Sequence, residues 1–391
     1  MKPAIAQLMA FSLASSVATT CLAQESPKDD AGVAGQIDAL FADLDPNGPG
    51  CNIGLIHEGE WLHKAGYGMA NMELSLPLDG SQRHRMASVS KQFTAAAVLL
   101  LADEGKIDLS EDIRTYLPEL RDYRATVTVN AMLGHVGGMG DYDLIAGSFE
   151  GPVGNNAVDL RSAAGGPFRL GNEDYLTIAE FYDVVKQVPL ALPPEQEQRY
   201  SNLAYFLLSM LVEEVSGESL REYAERRIFA PLGMEQSFFS DDPVEIVTNR
   251  ASGYTRDDSG RYVTDMTNLF WVGDGGLHTN LDDMLIWDQQ FYDPKLGESP
   301  IEFLEAMNTP NSDLESNERL YANGQFVGEV SGYKLFAHSG GWLGTSTYYA
   351  RIPELSSSLV MMCNDTSLDL DTILNGAQKI LIEAAESGSN P

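Results

Sequence analysis

The chain has 391 residues, with 57 acidic residues against 25 basic ones, for a net charge of −32. A field of that sign repels phosphate backbones and anionic lipid surfaces, which excludes nucleic acid and membrane surfaces as expected partners. The acids are spread along the chain rather than gathered in a tail, and the length exceeds what a single pair of layers usually holds.

The first residues read as a secretory signal. Lys2 supplies the positive start, Ala4 to Val17 an apolar stretch broken by Ser and Gln, and Cys21-Leu22-Ala23 a small-residue cleavage pattern. The expectation is a signal peptide over 1–23, a mature chain from Gln24 and a periplasmic or secreted location. Ala18-Thr19-Thr20 does not make the approach expected of a lipid-anchored Cys21, and no segment is long and apolar enough to span a bilayer.

Asp43-Leu44-Asp45-Pro46-Asn47-Gly48 resembles the start of a calcium loop. Gly54 occupies the twelfth position, where a bidentate glutamate belongs, so a plain turn is expected. Residues 52–70 read as a hairpin about the turn His57-Glu58-Gly59-Glu60. Cys51 and Cys363 remain after processing, one opening a strand-like run and the other closing one. A bridge between antiparallel neighbours and two buried thiols are both compatible with that placement.

Residues 88–104 read as a buried helix capped by Gly105, and 109–230 carry mostly helical periods, among them Leu203 to Val215 before Gly217. The stretch 141–173 is rich in Gly, Asn and Ser without periodicity, which suits a functional loop. Asp282-Asp283, Asp369 and Asp371 read as solvated helix-start acids. Tyr333 to Ala337, Thr345 to Arg351 and Ser358 to Cys363 are strand-like, and Leu368 to Ala385 is helical. Strands at both chain ends around a helical block imply an α/β domain over 24–87 plus 240–391, with a mostly helical insertion over 88–239.

Three short elements can carry chemistry. Ser-x-x-Lys occurs at Ser88/Lys91 and at Ser331/Lys334, but only the first pair falls on one helix face, where the helix start favours developing negative charge. Tyr-x-Asn occurs as Tyr200-Ser201-Asn202, before an apolar helix, and as Tyr321-Ala322-Asn323, in a Gly-rich polar connection. His338-Ser339-Gly340-Gly341 occurs once, at the edge of a strand-like run. The six histidines lack metal-ligand spacing and no glycine-rich phosphate loop follows a strand, so neither metal nor cofactor is expected.

With these elements the chain resembles the serine β-lactamase and penicillin-binding protein-like superfamily, in its class C-like branch of esterases, D-aminopeptidases and β-lactamases. The resemblance extends through Gly66-Tyr67-Gly68-Met69-Ala70-Asn71, Met86-Ala87-Ser88-Val89-Ser90-Lys91-Gln92-Phe93-Thr94-Ala95, Pro231-Leu232-Gly233-Met234, Gly273-Asp274-Gly275-Gly276-Leu277-His278-Thr279 and Cys363-Asn364-Asp365. It implies a β-lactamase/transpeptidase-like α/β (α+β) fold: an antiparallel sheet flanked by helices, with an inserted all-α region. It further implies Ser88 as the acylated nucleophile, Lys91 as its activator and Tyr200 as proton relay. Asn202, His338, Ser339 and Gly340 would contact substrate, and the backbone N–H groups of Ser88 and Gly341 would form the oxyanion hole.

Two departures stand out. His338 replaces the lysine that meets a substrate carboxylate in β-lactamases, which favours small ester, amide or peptide substrates without an anion there. His135-Val136-Gly137-Gly138 stands where relatives read His-Thr-Ser-Gly, and His135 is expected to pack or stabilise a turn. The leading expectation is a secreted serine hydrolase. The alternatives are a D-amino-acid peptidase, penicillin-binding enzyme or β-lactamase, and a non-catalytic ligand-binding descendant.

Overall fold

The computed structural model describes residues 32–146, 158–159, 176–267, 272–314 and 319–388. The expected signal segment therefore lies outside the described residues, as does most of the 141–173 loop. The elements used below are, in chain order, α1 (Val33–Leu40), β1 (Cys51–His57), β2 (Glu60–Tyr67), α2 (Lys91–Asp103), α3 (Asn202–Ser216), α4 (Leu281–Gln289), β3 (Leu320–Ala322), β4 (Gln325–Val330), β5 (Tyr333–Trp342), β6 (Thr345–Ile352), β7 (Ser357–Cys363) and α5 (Leu370–Ser387).

The seven strands form one sheet in the order β3-β4-β5-β6-β7-β1-β2, antiparallel throughout. The two chain ends meet where β1 pairs with β7, and Cys51 lies opposite Cys363 in that register. The two cysteines are joined as a disulfide.

Strand alternation divides the core into two layers. Leu359, Met361 and Cys363 of β7 join Ile53 and Leu55 of β1 against α1 and α5. Val360 and Met362 point the other way, into the larger cluster that holds α2, α3 and α4. Helix α2 is apolar almost all round and buried from Lys91 to Leu101, as a helix between two layers must be. It stops at Gly105, whose φ of +67° an L-residue with a side chain disfavours.

Two expectations need correction. Asp282 is exposed and pairs with Lys64 at 2.6 Å, but Asp283 is buried. Its carboxylate accepts from Gln236 N at 2.7 Å and Ser237 Oγ at 2.6 Å, groups that the local sequence does not reveal. The Gly-rich polar connection expected at Tyr321-Ala322-Asn323 is a strand end and a tight turn. Tyr321 and Ala322 end the edge strand β3, and Asn323-Gly324 is a hairpin turn with φ of +45° and +91°.

Candidate active site

Ser88 stands on a single tight 3₁₀ turn, Ala87–Ser90, that runs directly into α2 at Lys91. A continuous α-helix from Ser88 was the expectation. The tighter turn instead eclipses residues three apart, and Lys91 Nζ lies 3.1 Å from Ser88 Oγ. Ala87 is held at φ +45°, a left-handed conformation that costs an L-residue about 1–2 kcal/mol. The sheet holds it there: Met86 N–H donates to Leu277 O at 2.8 Å, and Thr347 Oγ1 donates to Met86 O at 2.7 Å.

Strand β5 crosses this turn at Gly340. A Cβ there would sit 2.3 Å from Met86 O, so the close approach requires glycine. Gly340 is therefore buried against the Ser88 turn. Its neighbours Ser339 and Gly341 are exposed, and no atom lies within 4 Å of where a Gly341 side chain would begin.

Lys91 is completely buried. Its ammonium donates to Ser88 Oγ at 3.1 Å, Asn202 Oδ1 at 2.8 Å and the Asp274 carbonyl at 2.6 Å, which exhausts its three protons. Burial pulls its pKa from 10.5 to about 8, against the opposing attraction of Asp274 and Asp141. At pH 7 roughly one molecule in ten then carries the neutral amine.

Tyr200 and Asn202 flank the residue that starts α3. Ser201 accepts from Ala204 N at 3.0 Å as the helix cap and donates to Gly140 O at 2.7 Å, which fixes the turn on both sides. The Tyr200 ring packs 4.3 Å from His135, with Lys91 Nζ 4.9 Å from its centroid. Its hydroxyl is buried and makes no hydrogen bond among the described residues. Burial holds the phenol well above its ordinary pKa of 10, a lift that nearby Ser88 only partly opposes. At rest Tyr200 is a neutral, unpartnered proton donor beside the Ser88 hydroxyl. Asn202 is engaged on both ends, through Oδ1 to Lys91 and through Nδ2 to Asp141 Oδ2 at 3.1 Å.

His338 is buried on β5. Nδ1 lies 2.6 Å from the Ser339 carbonyl and Nε2 lies 3.0 Å from Tyr321 Oη. A carbonyl only accepts, so Nδ1 carries the proton and Tyr321 donates to Nε2. Burial, helped by Lys91, drops its pKa to about 3, so the ring is neutral at any working pH. His135 accepts from Ser201 N–H at 3.1 Å and sits at φ +59°, a packed turn histidine. Ser331 and Lys334 lie exposed in and after the β4–β5 turn.

Sequence reasoning missed three residues that this geometry brings in: Asp141, Asp274 and Tyr321. Tyr142 Oη donates to Asp274 Oδ2 at 2.9 Å, while the Asp274 carbonyl receives Lys91. Asp274 lies in the Gly273-Asp274-Gly275-Gly276 run, which assigns it no role, and Asp141 opens the 141–173 stretch without a pattern of its own. Tyr321 did carry a signal, since Asn-Gly between alternating residues marks a two-residue hairpin. Gly324 of that hairpin abuts Gln92, where a Cβ would lie 2.3 Å from its backbone nitrogen.

The chain matches the Beta-lactamase family over residues 34–381 and belongs to it. Among curated relatives it is 25% identical over 321 residues to a D-aminopeptidase of Gluconobacter oxydans, covering 82% of this chain and 56% of that one. It is 26% identical over 351 residues to penicillin-binding protein 4* of Bacillus subtilis, covering 83% of this chain and 70% of that one. The solved octameric penicillin-binding protein homologue from Pyrococcus abyssi superposes with a TM-score of 0.73 at 25% identity, over 91% of this chain and 76% of that one. The chain spans only 56% and 60% of the length of two D-aminopeptidases it resembles.

Proposed function

We propose that this chain is a secreted serine hydrolase that cleaves an ester or amide bond through a covalent acyl-enzyme on Ser88. The observation that carries the reading is the buried Lys91 amine 3.1 Å from the Ser88 hydroxyl. In the reacting form the amine is neutral and takes the Ser88 proton as Oγ bonds to the substrate carbonyl carbon. The carbonyl π pair moves onto oxygen, which the backbone N–H groups of Ser88 and Gly341 would receive. One such donor is typically worth about 10²–10³-fold in rate. The proton passes from Lys91 through Tyr200 to the leaving oxygen or nitrogen as its bond to carbon breaks. Water then attacks the acyl carbon, giving its proton to the same amine; as the carbon–Oγ bond breaks, that proton passes to Ser88 Oγ, which releases the acid and restores the neutral amine.

The neutral His338 gives no charge to meet a substrate carboxylate. Substrates without an anion at that point are favoured, and penicillin turnover is expected to be weak or absent. Secretion rests on the signal-like residues 1–23 and agrees with a disulfide, which persists in oxidising compartments. A D-amino-acid peptidase is the second reading, and the names of the curated relatives favour it.

The test is intact mass and product release from the protein and its Ser88→Ala variant, after brief exposure to an activated short-chain ester and to a penicillin. An adduct or product from the ester alone, absent in the variant, supports the hydrolase reading. A long-lived penicillin adduct at Ser88 favours cell-wall peptide chemistry instead. No adduct and no product from either would overturn both readings and leave a ligand-binding descendant.

A further inference from the structure

We infer that Asp141 is a positioning residue for the Ser88 chemistry: it fixes the Asn202 amide with its oxygen on Lys91, and its charge holds the Lys91 ammonium in place. The inference rests on Ser88 being the nucleophile and Lys91 its activator.

Asp141 Oδ1 accepts the backbone N–H of Tyr142 at 2.9 Å and that of Asn202 at 3.2 Å, while Oδ2 accepts Asn202 Nδ2 at 3.1 Å. In its ionised form Asp141 can only accept, so the Asn202 amide then turns its NH₂ towards it. The amide oxygen is then left facing Lys91 Nζ at 2.8 Å. The flipped amide would set NH₂ against ammonium and oxygen against carboxylate, two repulsive contacts, so only one rotamer satisfies both neighbours.

The electrostatics reinforce this arrangement. Three N–H donors ordinarily hold a carboxyl low, yet burial carries Asp141 up to about 7, beside a Lys91 brought down to about 8. The acid and the amine therefore titrate as a coupled pair near neutrality. Asp141 also faces Asp274 and Asp143, and Asp143 is paired with Arg199 at 2.7 Å. Around Lys91 the other groups are Asp274, the neutral phenols Tyr200 and Tyr205, and the histidines His135 and His338, both kept neutral by burial. Asp274 in turn faces Arg85 and Tyr142. In this set Asp141 alone both bonds the Asn202 side chain and attracts the Lys91 charge.

The experiment compares pH profiles of kcat/KM for a neutral activated ester in the wild type, Asp141→Asn and Asp141→Glu. Asp141→Asn removes the charge and lets the Asn202 amide turn. Its acid limb should move about one pH unit lower, because Lys91 loses an attraction that raised its pKa. Its kcat should fall about 10–100-fold from the lost orientation. Asp141→Glu keeps the charge, so its limb should stay at the wild-type position whatever happens to kcat. A residue that merely supports the fold would lower kcat or Tm and leave the Asp141→Asn limb unmoved, and that result overturns the inference.

Should Asp141→Asn fail to fold, the wild-type Lys91 signal from ¹³Cε-labelled lysine decides. Two steps between pH 6 and 9 support the coupled pair, and a single step overturns it. Ser88→Ala separates the two levels of the argument: activity surviving in that variant defeats the nucleophile reading itself. An inactive Ser88→Ala beside an unmoved Asp141→Asn limb defeats only the role given to Asp141.

Discussion

The two faces of the central sheet follow opposite rules. On the face covered by α1 and α5, Ile53, Leu55, Leu359 and Met361 pack against Ile37, Leu374, Ala377 and Leu381, and the Cys51–Cys363 bridge ties the strands of the two chain ends. The face towards α2 and α3 holds a buried amine, the buried carboxyl of Asp274 beside that of the partly exposed Asp141, two buried neutral histidines and a phenol without a partner among the described residues. Burying such groups costs free energy unless hydrogen bonds replace the lost water. Lys91 and Asp141 have those bonds, whereas among the described residues Tyr200 Oη and Asp274 Oδ1 have none. The first face is apolar throughout, whereas the second sets these polar groups into the larger apolar core, and substitutions should separate accordingly.

The largest effect belongs to the reactive face. Lys91→Met removes the proposed base, and kcat/KM towards an ester should fall by about 10³-fold or more. It also removes the charge that lowers the pKa of Asp141 and Asp274, and the loss of stability should reach about 3 kcal/mol by pH 9, where wild-type Lys91, with its pKa of about 8, has itself given up its proton. The sign follows from linkage. Asp141 already holds its proton more tightly folded than unfolded, and without Lys91 that folded pKa rises above about 7. Stability relative to wild type should therefore fall as pH rises through 7–9, and recover below pH 6, where Asp141 is protonated in both proteins. Denaturant titrations at pH 5.5 and 9 measure this, and equal losses at both would refute the pairing.

Next comes the other face. Replacing both Cys51 and Cys363 with Ala should lower stability by about 2–5 kcal/mol, read from denaturant midpoints. Towards an ester kcat/KM should stay within about threefold at a temperature where the variant is folded, because the bridge lies across the sheet from Ser88. A tenfold loss would mean that the two faces are coupled. A border case is Gly340→Ala. Its Cβ would press on Met86 O at 2.3 Å and push β5 off the Ser88 turn. Stability should fall by about 1–3 kcal/mol, with a drop in kcat alongside.

The same division explains what the sequence made legible. The hairpin of β1 and β2, the buried α2 and the strands β5 to β7 show themselves through local period and turn residues. Ser88, Lys91, Tyr200 and Asn202 show themselves through spacing at helix starts. Asp141 and Asp274 are silent because their partners are 61 and 132 residues away along the chain. Asp283 misleads for the same reason: it sits where a solvated helix-start acid belongs, and Ser237 turns it inward from 46 residues away. Tyr321 hides behind composition: Gly-rich polar residues suggest a connection, while Asn323-Gly324 is the tight turn of a hairpin that carries Tyr321 on its strand. His338 stands out as a replacement for lysine, and the fold adds why it carries no charge, through its burial beside Lys91.

The smallest predicted effect tests that last point. Tyr321→Phe keeps the ring, which packs 4.8 Å from Phe326 and 4.5 Å from His135, and removes only the hydroxyl that donates to His338 Nε2. The buried acceptor left behind should cost about 1–2 kcal/mol of stability and lower kcat/KM only a few-fold. Losing a donor to the neutral ring raises its basicity, but burial and Lys91 remain, and both hold the imidazolium down. The preference for neutral over carboxylate-bearing esters should therefore be unchanged in the variant. Paired kcat/KM values for an ester with and without a carboxylate measure this directly. If the carboxylated ester gains tenfold relative to its neutral partner, then the Tyr321 hydroxyl, rather than burial, keeps His338 uncharged.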